Sequence, residues 1–441
     1  MTDLNGLARE FEALEDQLVV CMRCGLCQAA CPLYAQTGRE ADVARGKLAL
    51  LTGLAEKIIE NPQGVRDRLD NCLLCGSCAA NCPSGVKALD IFIRARAVLA
   101  AYLGLSPAKR FIFRQLLARP AWFDRLLSLA LKFEWIFAQP VNDILGSSCV
   151  RIESPLGDRH FKRPAPKPFH ALVGRRETPP GKSGQKVALF VGCLIDKLYP
   201  SIAQAAVKIL DHHQVGRLIP ANQACCGIPA LSSGDSRGFE KLLRLNLELF
   251  DPRRFDYLLT ACATCTSTIK KFWPLMAGNL DPAARRQVEA LAAKTLDISQ
   301  FLVDRDLLPP RVAPAPGAVP VAYHDPCHLK KSLGVWSQPR RVIAAAAGYF
   351  PREMEEPDWC CGVGGSFNLL HYETSAAIGL RKWRNIENSG CGVAASSCPA
   401  CLTQIIDAAS KAKSGIRVVH VIELYAESLP EPREDGGVLT S

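Results

Sequence analysis

Two cysteine runs near the N-terminus restrict this chain more than any other feature. Cys21-x-x-Cys24-x-x-Cys27-x-x-x-Cys31-Pro32 recurs as Cys72-x-x-Cys75-x-x-Cys78-x-x-x-Cys82-Pro83. A C-x-x-C-x-x-C loop wraps three corners of a cubane [4Fe–4S] cluster. In the bacterial two-cluster arrangement the fourth thiolate comes from the other run. Cys21, Cys24 and Cys27 are therefore expected to pair with Cys82, and Cys72, Cys75 and Cys78 with Cys31. Zinc usually takes two separated C-x-x-C knuckles rather than three cysteines in one loop. The pattern points to a protein that moves electrons.

The chain has 20 cysteines in 441 residues, and 48% of its residues are hydrophobic, enough to bury several cores. It opens MTDLNGLAREFEALEDQ, with neither a basic n-region nor an apolar h-region. A cytoplasmic location is expected, where disulfides are rare. Thiolates held by metal then account for most of the cysteines. No uninterrupted apolar stretch approaches the ~20 residues of a membrane span. A net charge of +10 favours an anionic partner such as a membrane surface, an acidic protein or nucleic acid. No zinc finger of C2H2 spacing and no RNP-type aromatic motif supports nucleic acid.

The expected architecture is α+β and multi-domain. Residues 1–104 form an α-helical ferredoxin module, with helical stretches Val43 to Ile59 and Ala88 to Leu103. Residues 105–185 form a basic aromatic helical segment and a Pro-rich linker. Across 105–140, six Lys or Arg stand against two acids, interleaved with Phe, Trp and Leu. The stretch Lys109 to Trp135 reads as a membrane-interface helix pair or as a helical hairpin packed on the ferredoxin module or a partner subunit. The first reading places the protein peripherally on the inner face of the cell membrane. Leu126, Leu127, Leu129, Leu131 and Phe133 crowd together rather than form one stripe. From 151 to 186, six prolines and nine Lys or Arg against three acids leave little to bury.

The remainder is an internal repeat, at 186–307 and 320–430. Copy one runs from the strand-like KVALFVGC, ending in Cys193, through Cys225-Cys226-Gly227 to Cys262-Ala-Thr-Cys265. Copy two runs from VAYHDPC, ending in Cys327, through Cys360-Cys361-Gly362 to Cys398-Pro-Ala-Cys401. The Cys to Cys-Cys gaps are 31 and 32 residues, and the Gly to Cys gaps 34 and 35. β-branched strands alternate with helical patterns such as Ser201–Asp211 and Gly238–Phe250. Each copy is expected to be an α/β domain with a mainly parallel sheet.

Five thiols per copy, at the ends of predicted strands, exceed what one cubane or one zinc requires. Neighbouring cysteines cannot easily cap two corners of one compact cubane, but they can hold separate irons in a more open cluster. Further iron–sulfur clusters, zinc sites with a spare thiol and redox-active dithiols all fit the pattern. His324 and His328 flank Cys327 and read either as satisfied loop histidines or as hydrogen-bond donors or ligands at the site. Cys149 and Cys391 have no counterpart in the other copy. Gly362-Val-Gly364-Gly365 reads as a tight turn beside a metal site.

The order of two ferredoxin runs followed by two CCG modules resembles the iron–sulfur subunit of glycolate oxidase. It is similar also to the related subunits of flavin-dependent lactate dehydrogenases. The resemblance implies ten candidate metal ligands: Cys193, Cys225, Cys226, Cys262 and Cys265, then Cys327, Cys360, Cys361, Cys398 and Cys401. It implies an electron-transfer subunit of a 2-hydroxyacid dehydrogenase, taking electrons from an FAD-binding subunit and delivering them to a quinone or membrane carrier. No Rossmann fingerprint follows a strand, and no residue is expected to touch glycolate or lactate. CCG modules also resemble those of heterodisulfide reductases, for which non-cubane [4Fe–4S] clusters are implied. The iron–sulfur subunit of anaerobic glycerol-3-phosphate dehydrogenase has a similar layout.

Overall fold

The structure, a computed structural model, describes residue 11 and residues 15–133, 138–150, 158–310 and 313–430. Most of the opening segment, Trp135, linker residues 151–157 and residues 311–312 lie outside the described residues.

The N-terminal module is helical, as its pattern requires. Its main helices are Ala44–Ala55, Pro62–Asp70 and Ala88–Leu103. Asn61 caps the second, its side chain accepting from the Gly64 amide at 2.9 Å, with Pro62 in the first turn. Each cysteine loop repeats the same two left-handed positions: Arg23 and Gly25 in the first, Leu74 and Gly76 in the second. A leucine at φ +52° is costly, and such backbone is retained where a site demands it.

The repeat folds as two four-stranded, all-parallel sheets. The first has order β5-β4-β6-β7, from β4 (Lys186–Phe190), β5 (Gly216–Leu218), β6 (Tyr257–Thr260) and β7 (Thr295–Asp297). The second has order β11-β10-β8-β9, from β8 (Val319–His324), β9 (Tyr349–Arg352), β10 (Val393–Ser396) and β11 (Arg417–His420). Both place the first strand of the copy beside the third, so each has one switch point, between those strands. Val187, Ala188, Leu189 and Phe190 are all buried, as befits a parallel strand covered on both faces.

The two copies pack reciprocally. Helix Pro200–His212 of copy one meets Val421–Ser428 of copy two, and Ile298–Asp304 meets Ser337–Ala345. Helix Ala263–Ser267 meets Cys327–Leu333, and Cys193–Leu198 meets Pro399–Lys411. Equivalent elements exchange partners, the signature of an isologous, two-fold-like interface inside one chain. It brings the C-terminal ends of both pairs of central strands to one place.

The stretch expected as a linker, 151–186, contributes a strand and a short helix, Phe169–Leu172, and the strand completes a sheet that begins before it. An antiparallel sheet, β1 (Ala138–Asn142), β2 (Ser147–Val150) and β3 (His160–Lys162), lies against helix Pro399–Lys411. The His160 amide donates to Asp407 Oδ1 at 2.9 Å, and Ser147 Oγ meets Ser410 Oγ at 2.7 Å. Composition missed this because backbone pairing and a few buried residues, Ala138, Leu145, Ser147, Ser148 and Phe169, hold a segment poor in apolar residues.

The basic segment is helical, at Pro107–Phe111, a π-turn at Ile112–Leu116, and Pro120–Lys132. One face is clamped to copy one. Arg114 makes a bidentate pair with buried Asp235, at 2.7 to 3.1 Å. Lys197 pairs with Asp124 and, at 2.6 Å, with Asp196. The other face leaves Trp122, Leu126, Leu129 and Phe133 exposed. These fall at i, i+4, i+7 and i+11, so the exposed apolar residues do form a single stripe. Among the described residues no helix is long and apolar enough to cross a membrane.

A buried thiol chain as candidate metal centre

The cysteine loops and the repeat meet in the interior. Arg96, on helix Ala88–Leu103, is buried and donates to the carbonyls of Leu69, Cys72 and Ser232, the last at 2.6 Å. It ties the second cysteine loop to copy one. Lys331 of copy two donates to Ser77 Oγ at 2.7 Å, and Ser77 stands 3.3 Å from Cys75 Sγ. His328 bridges all three units. Its Nε2 lies 3.3 Å from the Leu74 carbonyl, and its Nδ1 lies 3.3 Å from Thr264 Oγ1. His328 is thus the satisfied loop histidine of the two alternatives.

Within the N-terminal module, Cys21, Cys24, Cys27 and Cys82 line one pocket, together with Cys78. Cys31 sits with the other run. Burial, opposed by the Tyr34 amide and reinforced by the charges of Cys75 and Cys72, pushes its thiol up to about 12. The two groups differ in access: Cys24 is exposed, whereas Cys75 is buried. Cys75 packs with Leu33, Leu73, Phe367 and Cys360 of copy two in a small apolar cluster.

All ten cysteines of the repeat line a single cavity of about 590 Å³. Its remaining wall is mostly apolar, including Ile112, Leu117, Ile195, Leu369 and Leu370. The thiols form a continuous line. Cys193 Sγ lies 3.6 Å from Cys225 Sγ. Cys226 interacts with Cys225 and Cys265, and Cys262 with Cys265 and, across the two-fold-like interface, with Cys398. Cys401 interacts with Cys398 and Cys361, and Cys360 with Cys361, Cys327 and Cys75. Thiols from three separate motifs therefore touch in sequence.

Such crowding is unfavourable for bare thiolates. Cys225 is pushed up by its neighbours Cys193 and Cys226 and by burial, and Cys401 by Cys361 and Cys398 and by burial. Cys226, Cys361 and Cys398, each hydrogen-bonded by two flanking thiols, are held low. A metal ion lets every ligand ionise, because a coordinating thiol is deprotonated outright. The donor set, soft sulfur in numbers above one site's need, fits iron–sulfur chemistry.

The glycines of both Cys-Cys-Gly motifs serve this packing. Gly227 and Gly362 have φ +98° and +97°, and a Cβ would stand 2.6 Å from Phe239 and 2.5 Å from the Ser375 carbonyl. Gly364 and Gly365 also have positive φ, consistent with a tight turn beside the site. Cys149 and Cys391 lie outside the cavity lining.

Two families match this chain. Residues 17–86 match the 4Fe-4S dicluster domain, and residues 187–270 and 321–406 each match the Cysteine-rich domain, CCG. The chain is 28% identical over 436 residues to "Probable glycolate oxidase iron-sulfur subunit" of Bacillus subtilis, covering 97% of this chain and 98% of that one. It is 31% identical to "Lactate utilization protein A" of an Exiguobacterium species, over 56% of this chain and 98% of the relative. It is 26% identical to a subunit of the "Dihydromethanophenazine:CoB--CoM heterodisulfide reductase" of Methanosarcina barkeri, over 94% of each. With its dicluster module followed by two CCG domains, the chain belongs to the iron–sulfur subunit family of glycolate oxidase and Lactate utilization protein A.

Proposed function

We propose that this protein is the electron-transfer subunit of a flavin-dependent glycolate or lactate dehydrogenase. It takes electrons from an FAD-binding subunit and delivers them to a quinone or another membrane carrier. The observation that carries the reading is the contact of buried Cys75 with Cys360, which joins the N-terminal cysteine loops to the line of thiols in the cavity. Iron–sulfur clusters, when bound, supply one-electron transfer over a wide range of potentials. Cys21, Cys24, Cys27 and Cys82 would hold one cubane, and Cys31, Cys72, Cys75 and Cys78 the other. The ten cysteines of the repeat would hold further iron–sulfur centres or zinc. The exposed apolar stripe with Arg119, Arg125 and Lys132 suits a cytoplasmic protein resting on an anionic membrane face.

The exchange of fourth ligands has its own test. Cys82→Ser should damage the cluster of Cys21, Cys24 and Cys27 and spare that of Cys72, Cys75 and Cys78. Spectroscopic damage confined to the latter would show that each run keeps its own fourth cysteine.

The purified chain should not oxidise glycolate or lactate by itself. Mixed anaerobically with its flavoprotein partner and substrate, its visible absorbance should bleach. Substrate oxidation by the chain alone, free of flavin, would overturn the reading. The apolar cavity bordered by thiols also favours a second reading, a heterodisulfide-reductase-like catalyst. The same preparation, reduced with dye and offered a disulfide, should then release two thiols per two electrons and two protons; no release excludes it.

A further inference from the structure

One side chain at this site stands without a partner. His324 ends β8, three residues before Cys327, and is 1% exposed. Neither of its ring nitrogens has a hydrogen-bond partner. The Pro357 carbonyl, which accepts from the Asp325 amide at 3.0 Å, comes near the ring but without hydrogen-bond geometry to either nitrogen. Buried polar atoms without partners are few in folded proteins, and each calls for an explanation. A ring nitrogen of His324, Cys361 Sγ and Cys401 Sγ all lie within 4.8 Å of one another. That spacing is within reach of one ion whose bonds run about 2.0–2.3 Å.

The repeat supplies an internal control. The equivalent position in copy one, the end of β4 three residues before Cys193, is Phe190. Its ring packs on Phe250 at 5.6 Å and edge-on to Trp273 at 6.3 Å. An apolar ring therefore satisfies this place in the fold, and packing alone does not require an imidazole.

We infer that His324 is a metal ligand of the second cysteine-rich domain, bound through a ring nitrogen beside Cys361 and Cys401. The two halves of the repeat are then chemically unlike, one with sulfur donors alone and the other with sulfur and one imidazole. This rests on the reading that the cysteine-rich domains hold metal. A neutral imidazole in place of an anionic thiolate raises a reduction potential, as histidine ligation does in Rieske centres. The half that Cys75 touches through Cys360 is thus the one tuned upward.

The test uses the full chain, purified anaerobically with 15N-histidine and with natural-abundance histidine. Iron and zinc are counted, and the reduced protein is examined by pulsed EPR. A strongly coupled histidine nitrogen in the wild type, lost in His324→Phe, is the expected result. Where zinc is counted in the repeat, X-ray absorption at the zinc edge takes the place of EPR and must show a nitrogen ligand. His324→Cys should keep the metal and shift the potential of an iron centre downward. The wild-type measurement needs no variant to fold. Metal in the repeat without a directly bound nitrogen, or coupling that persists in His324→Phe, overturns the assignment and leaves the parent reading standing. Metal no more abundant than the N-terminal clusters need overturns both.

Discussion

Cys75→Ser should cut the protein electrically in two while its fold survives. Cys75 is the point where the N-terminal module touches the thiols of the repeat, through Cys360. The substitution is nearly isosteric, and a hydroxyl at this place finds a polar neighbour in Ser77, 3.3 Å from the present sulfur. Only a thiolate is a good iron ligand, so the serine removes a corner of the inner cluster. In the assembled enzyme, substrate-driven dye reduction by the flavoprotein should continue near the wild-type rate. Quinone reduction should be lost, and the cysteine-rich domains should no longer be reduced. A matched substitution at Cys149, outside the cavity, should leave both assays unchanged. Quinone reduction at the wild-type rate in Cys75→Ser would mean that electrons leave by another route.

Spacing made the parts of this machine legible, and contact between the parts was not. The helix Ala88–Leu103, the strand starts before Cys193 and Cys327, and the final strand–helix units all follow from local pattern. A pattern with period two or 3.6 reports on one element and its own buried face. It carries no information about which element of copy two opposes which element of copy one. The contact of Cys262 with Cys398, and of Cys75 with Cys360, depends on that opposition. The repeat offered an indirect signal, since duplicated domains often pair reciprocally. His324 was visible as a histidine beside a cysteine, but not as an unpartnered one. Its status depends on Pro357 and Asp325 and on the thiols of Cys361 and Cys401, most of them remote in sequence. The antiparallel sheet from Ala138 to Lys162 escaped for the opposite reason. Its strands are short, and what they bury is largely polar, Ser147 and Ser148 among it, so no apolar period marks them.

Leu126→Glu with Leu129→Glu should release the protein from anionic vesicles. Leu126 is 44% exposed and Leu129 54%, on the stripe shared with Trp122 and Phe133. Seating two leucines in the interface is worth about 3 kcal/mol, on the order of 100-fold in binding. The two new carboxylates add repulsion from an anionic surface. The fold should be spared, because this helix is held by its other face, through Asp124 with Lys197 and, at 3.2 Å, with His170. Co-sedimentation with vesicles of mixed neutral and anionic phospholipid measures the effect. Raising the salt should weaken the wild type, since attraction through Arg119, Arg125 and Lys132 is screened within about 10 Å at 0.1 M. Wild-type protein that ignores the vesicles at low salt would refute membrane contact at this stripe. If the variant instead loses its flavoprotein partner and keeps its vesicles, the stripe is the seat of that partner.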